Sequence, residues 1–156
     1  VLGRASPSTA RRPANESGGR VYLVFRPTRG GKSDVIKLTY CLRRKPGMSL
    51  EEFQRYWRDT HAPLVAERAE ALGIRRYVQA HTSDIPDVHA MLQARNGGSP
   101  EPFDGVAELW FDSLEAMGSD DPAAAQANAE LFEDETNFID LANSPMWIAE
   151  ENIVVD

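Results

Sequence analysis

The stretch IKLTYCLRRKPGMSLEEFQRYWRDTHAPLVAERAEALGIRRYVQAHT, residues 36–82, decides the fold because the period of its apolar residues changes twice. In IKLTYCL (36–42) the alternation puts Ile36, Leu38, Tyr40 and Leu42 on one face of a strand. Pro46-Gly47 then breaks the chain, Ser49 and Glu52 form a capping box, and Leu50, Phe53, Tyr56, Trp57, Leu64 and Leu72 keep an approximate helical spacing. Gly73 takes the position just past the helix end, where a left-handed backbone is wanted, and IRRYVQAHT (74–82) returns as a second strand.

Working outward from that unit, the rest of the chain repeats it. A Pro- and Gly-bearing linker (83–103), in which DVHAMLQAR suggests a short helix, leads to a third strand, GVAELWF (105–111). Asp112 or Ser113 caps a helical stretch that is interrupted near Gly118 and Pro122 and runs to about Asp140, and MWIAEENIVV (146–155) closes as a fourth strand. Strand–helix–strand taken twice predicts a ferredoxin-like α+β protomer, with a four-stranded antiparallel sheet and helices on a single face. Such a sheet has a bare second face. If that face is apolar, the simplest cover is a homodimer packed sheet against sheet.

Composition narrows the function. A chain of 156 residues has room for one core of ordinary size. Its net charge of −7 argues against nucleic acid, which needs clustered Lys and Arg to displace counterions. Cys41 is the single cysteine, so no intramolecular disulfide is available, and no apolar run approaches the roughly 18 residues that span a bilayer. The expectation is a cytoplasmic protein with no membrane partner. Residues 1–33 carry seven basic residues against one acid, a net of +6 that leaves −13 on the remainder. Apart from VYLVF (21–25), a candidate edge strand, this segment has too little apolar surface to offset chain entropy and reads as a disordered or loosely attached extension of a 34–156 domain.

Three further signals point nowhere. Gly30-Gly31-Lys32-Ser33 matches the end of a phosphate-binding loop, but Arg26 stands where that pattern needs Gly. Asp59, His61 and His81 are the residue types of a metal site, yet side chains two apart on a helix diverge, so no metal is expected. The acidic run Glu130 to Glu135 reads as a solvated helix face.

His61 is the first candidate for chemistry. Pro63 disfavours helical geometry at Ala62, so the long helix is expected to kink there, with Asp59 or Thr60 capping the following turn. Trp57 lies one turn before His61 and Leu64 and Val65 one turn after, which places the imidazole on the apolar stripe, suited to acid/base work or simply to a satisfied place in the core. His81 shares a strand face with Tyr77 and Gln79. Either that face meets the helices, so that His81 converges with His61 and Gln79 orients substrate oxygens, or it points to the dimer interface. Tyr40, Trp57 and Trp110 are candidate cavity walls, and plain core is the competing role for Tyr40 and Trp110. Asp59 is a candidate partner for a histidine.

The runs IKLTYCLRRKPGMSLEEFQRYWRDTHAPLV (36–65), RRYVQAHT (75–82), FDGVAELWFDSLEAM (103–117) and NSPMWIAEENIVV (143–155) resemble the EthD family of the dimeric α+β barrel superfamily, most specifically in the Y-W-x-x-x-H-A-P-L run at 56–64. The resemblance implies a homodimer with a cavity between sheet and helices in each protomer. It also implies a cofactor-independent enzyme acting on a hydrophobic aromatic or polyketide-like small molecule by decarboxylation, dehydration, cyclisation or cofactor-free oxygenation, with His61 as its catalytic residue; His81, placed by strand parity alone, is the candidate second catalytic residue. A non-catalytic carrier of a hydrophobic ligand for an oxidative degradation system is the alternative.

Overall fold

The computed structural model describes residues 35–155; the expectations for residues 1–33, VYLVF included, lie outside them. Four antiparallel strands, β1 (Ile36–Leu42), β2 (Ile74–His81), β3 (Gly105–Phe111) and β4 (Met146–Ala149), are ordered β2-β3-β1-β4, the ferredoxin-like arrangement expected from the repeated unit. Register sorts the side chains between two faces. Tyr40 and Gln79 both stand opposite Ala107, Leu42 and His81 opposite Gly105, and Tyr77 opposite Leu109, so these residues share the inner face. Lys37 and Arg76 stand opposite Trp110, and Thr39 and Val78 opposite Glu108, on the outer face. The fourth strand is shorter than the sequence suggested: its ladder ends at Lys37↔Ala149, and beyond it Ile153, Val154 and Val155 are exposed.

The helical run after β1 comes in three pieces, α1 (Leu50–Tyr56), a π-helical turn (Trp57–His61) and α2 (Ala62–Arg68). Both halves of the Ser49/Glu52 capping box are made. The irregularity falls where Pro63 predicted it but takes a different form. Proline brings no N–H, and the Ala62 N–H reaches back to the Trp57 carbonyl, widening one turn in place of a kink and a fresh cap. Asp59 and Thr60 therefore cap nothing; both are exposed, and Asp59 pairs with its neighbour Arg58. Gly73 ends the unit with φ +68°, the left-handed conformation expected there.

The linker holds α3 (Pro86–Arg95), which lies across a groove from the loop at Arg43–Met48. The long second helix is two, α4 (Leu114–Met117), capped by Ser113, and α5 (Pro122–Glu135), capped by Asp121. It stops at Glu135, short of Asp140, because Phe138 and Ile139 turn back into the core. That core has two parts. Leu42, Phe53, Trp57 and Phe138 centre one cluster, Val65, Leu72, Ala127 and Leu131 make the other, and Tyr77 packs against both. Gly105 belongs to the first: a Cβ there would overlap the six-membered ring of Trp57, which lies against the strand.

On the outer face Trp110 is held by Lys37 and Arg76 against its ring and by a 2.9 Å hydrogen bond from its indole N–H to Glu151, so it walls no cavity shared with the histidines. Strand parity is the reason: Trp110 alternates with Leu109, whose side chain takes the inner face. Cys41 is buried on the same outer face, and burial pushes its thiol up, the state of a small packed hydrophobe.

Candidate active site

The widened turn keeps His61 on the same side of the helical run as Trp57 and Val65, and the ring is 5% exposed. It packs against Phe138 at 5.2 Å between centroids, and its Nδ1 lies 2.7 Å from the Asp134 carboxylate. The other Asp134 oxygen accepts a 2.7 Å hydrogen bond from the Tyr56 hydroxyl, so the carboxylate is held at both ends. A carboxylate only accepts, so Nδ1 carries the proton and Nε2 offers its lone pair; among the described residues no protein group bonds Nε2. Burial pulls the His61 pKa below its ordinary value, against a smaller upward pull from Asp134. The imidazole is thus neutral at neutral pH, the form that accepts a proton.

Asp134 answers the question of which acid partners the histidine, and it is not Asp59. Composition suggests a solvated face for the acidic run at the end of α5, but its last two members turn inward. The signal was present in the spacing: Ala124, Ala127 and Leu131 form the buried stripe of α5, and Asp134 and Glu135 lie three and four residues further along it. Glu135 is half-buried, and burial, reinforced by the neighbouring Asp134 charge, pushes its carboxyl up to about 7. Its charge is felt at two phenols of the inner face. Tyr77 is pushed up to about 12, chiefly by burial, and Tyr40 is raised by burial and then by Glu135.

His81, Gln79, Tyr77 and Trp57 form a second network. The Trp57 indole donates to the Tyr77 hydroxyl at 3.0 Å, the Gln79 amide nitrogen donates to the same hydroxyl at 2.9 Å and to the Trp57 carbonyl at 3.0 Å, and His81 Nε2 meets Gln79 Oε1 at 3.0 Å. The inner face does meet the helices, as one of the two open alternatives had it. The two histidines nevertheless share no hydrogen bond or ring contact. His81 stacks on Trp57 at 4.5 Å between centroids, whereas His61 packs on Phe138. Burial, with a smaller contribution from Arg58, lowers the His81 pKa.

On the inner side of the fold, among the described residues, lie polar groups that the protein leaves incompletely bonded. The Nε2 of His61, the carboxyl of Glu135 and the hydroxyl of Tyr40 have no hydrogen-bond partner, and the Tyr77 hydroxyl accepts from Trp57 and Gln79 but finds no acceptor for its own hydrogen. The three without a partner are not sealed off as His81 Nδ1 is, so water or a ligand can reach them.

The fold and these side chains define a ferredoxin-like α+β protein with a buried His61 paired to Asp134. A crystal structure of an EthD-like protein from Ralstonia eutropha superimposes with a TM-score of 0.52 at 20% identity, covering 80% of this chain and 97% of that one. The EthD domain matches residues 45–142, and the chain belongs to that family. Curated relatives include dehydratase ustZ from Ustilaginoidea virens, 30% identical over 108 residues that span 67% of this chain and 75% of the relative. A decarboxylase from Paecilomyces divaricatus is 28% identical over 125 residues, 76% of this chain and 81% of its own length.

Proposed function

We propose that this chain is a lyase-type enzyme acting on a hydrophobic, oxygenated, aromatic or polyketide-like small molecule, with His61 as general base and Glu135 as general acid. The observation that carries the reading is the 2.7 Å contact from His61 Nδ1 to Asp134, which leaves Nε2 as a fixed, unprotonated acceptor inside the protein. Environments that move two titratable groups in opposite directions support acid and base assignments, and here burial keeps the imidazole neutral while holding a carboxyl protonated up to about pH 7.

In a dehydration, Nε2 takes the proton from the carbon beside a carbonyl, and the C–H pair becomes an enolate. The enolate expels the β-hydroxyl, which takes the Glu135 proton and leaves as water. In a decarboxylation the C–C pair released with CO₂ takes the same path into the carbonyl, and a carboxylic acid such as Glu135 returns the proton. Positioned acid/base groups contribute about 10²–10⁴-fold each, enough for substrates whose C–H or carboxyl bond is already activated and without recourse to a cofactor. The names of the two curated relatives support this reaction class.

The working form is proposed to be a homodimer formed through the outer sheet face, where Trp147 is 47% exposed opposite Thr39. Sedimentation at micromolar concentration is expected to show twice the chain mass, and a monomer would remove this part. The chemical reading is tested by incubating the protein with cyclic β-hydroxy ketones and aromatic β-keto acids while following loss of water or CO₂. Turnover by wild type and its loss in His61→Ala supports it. Equal turnover in both would overturn the base assignment, and saturable binding with no turnover would leave a carrier.

A further inference from the structure

The network behind the site can be wired in only one direction. The Trp57 carbonyl only accepts, so the Gln79 atom 3.0 Å from it is the amide nitrogen. That nitrogen lies 2.9 Å from the Tyr77 hydroxyl; it cannot accept, and it spends its second hydrogen there. The Trp57 indole N–H, also a donor only, approaches the same oxygen at 3.0 Å. The Tyr77 oxygen therefore accepts twice, and its own hydrogen must go elsewhere. Among the described residues no group accepts it.

At the other end, Gln79 Oε1 is left to accept from His81 Nε2, which puts the His81 proton on Nε2. Nδ1 is then bare, buried and, among the described residues, without a partner. Protonating it would add a buried N–H with nothing to receive it, so His81 is badly placed to shuttle protons.

We propose that Gln79 and His81 are positioning residues which lock Tyr77 as a one-way hydrogen-bond donor, and that this donor takes the ketone oxygen of a flat, largely apolar substrate reaching the inner face of the sheet. The proposal rests on the reading of that region as the substrate site. It assigns Tyr77 the carbonyl that becomes an enolate when His61 removes the neighbouring proton. A donor fixed before the substrate arrives needs no reorganisation as charge develops on that oxygen.

The test uses α-tetralone, an aromatic ketone that can lose neither water nor CO₂, and reads the infrared stretch of its carbonyl when bound to the whole chain. Wild type is expected to lower that frequency relative to an aprotic solvent. Tyr77→Phe, which removes one oxygen, is expected to lose the shift. Gln79→Glu, whose carboxylate accepts from Tyr77 and draws its hydrogen back, is expected to lose it as well. His81→Gln keeps an N–H for Gln79 and retains the shift, and His81→Phe keeps the ring on Trp57 and weakens it. An unchanged shift in Tyr77→Phe, or no binding of tetralone to wild type, overturns the proposal. If Gln79→Glu does not fold by circular dichroism, Tyr77→Phe decides alone. His61→Ala is expected to keep the shift, so full turnover in that variant with the shift intact would sink the base assignment and leave this one standing.

Discussion

On the outer face of the sheet Lys37 reaches both Glu108 and Glu151, the Trp110 indole donates to Glu151, and Arg76 lies over the Trp110 ring. On the inner face the side chains are of the same kinds, an aromatic strand with carboxyls and basic groups beside it, but only some are paired. Asp134 has His61 and Tyr56, whereas among the described residues Nε2 of that histidine, the Glu135 carboxyl and the Tyr40 hydroxyl have no partner, and the Tyr77 hydroxyl accepts twice but finds no acceptor for its own hydrogen. The difference separates two uses of polarity. A polar cluster whose members saturate one another holds a surface together, and one left incomplete is shaped for something that is not part of the chain.

Substitutions on the two faces should accordingly have different consequences. The largest effect is expected from His61→Ala, a loss of about 10²–10⁴ in turnover with the melting profile retained, checked by steady-state kinetics beside circular dichroism. Asp134→Asn comes next, at about 10² for a base whose ring is no longer held. Asp134 pulls the His61 pKa up, so its loss should also move the acid limb of kcat/KM to lower pH; an unmoved limb would mean that the pair is not coupled in solution.

The wild-type profile itself should be a narrow bell. It should fall on the acid side as His61 gains a proton below its ordinary value of about 6.5, and on the alkaline side as Glu135 loses its own near about 7. Glu135 also links the site to stability. Its pKa is raised in the fold, so its contribution is fully present below the ordinary carboxyl value and is lost as pH rises through about 7. Glu135→Gln should therefore melt several degrees above wild type at pH 8 and close to it at pH 4, at about 2–4 °C per kcal/mol for a chain of this size. Equal melting at both values would place that carboxyl in water. The smallest effect belongs to the outer face. Trp110→Phe should leave turnover unchanged and cost about 1 kcal/mol in urea unfolding, the worth of one hydrogen bond.

The architecture was legible because its signals are local. Alternation set the bounds of β1 and β3 and, within a residue, β2, and the capping box and Gly73 marked the start and end of the first helical unit. The centre was half legible. His61 stood out through Pro63 and its apolar neighbours, but its partner lies 73 positions away and was hidden in a run of charges that composition assigns to solvent. Only the stripe Ala124, Ala127, Leu131 tells the inward acids from the outward ones, and charge is the wrong property to ask about there. Trp110 was misplaced for the opposite reason: an aromatic residue on a strand looks like a wall, yet the face is set by parity and not by size.

The extra residue in the Trp57–His61 turn frees the Trp57 carbonyl from an ordinary α-helical hydrogen bond, and strand β2 uses it through Gln79. Removing one residue from that segment would return it to ordinary helix and swing everything downstream by about 100°. Val65 would leave its cluster, and the anchor to β2 would be lost with it. Divergent members of this lineage should accordingly tolerate change in the composition of that segment far better than change in its length.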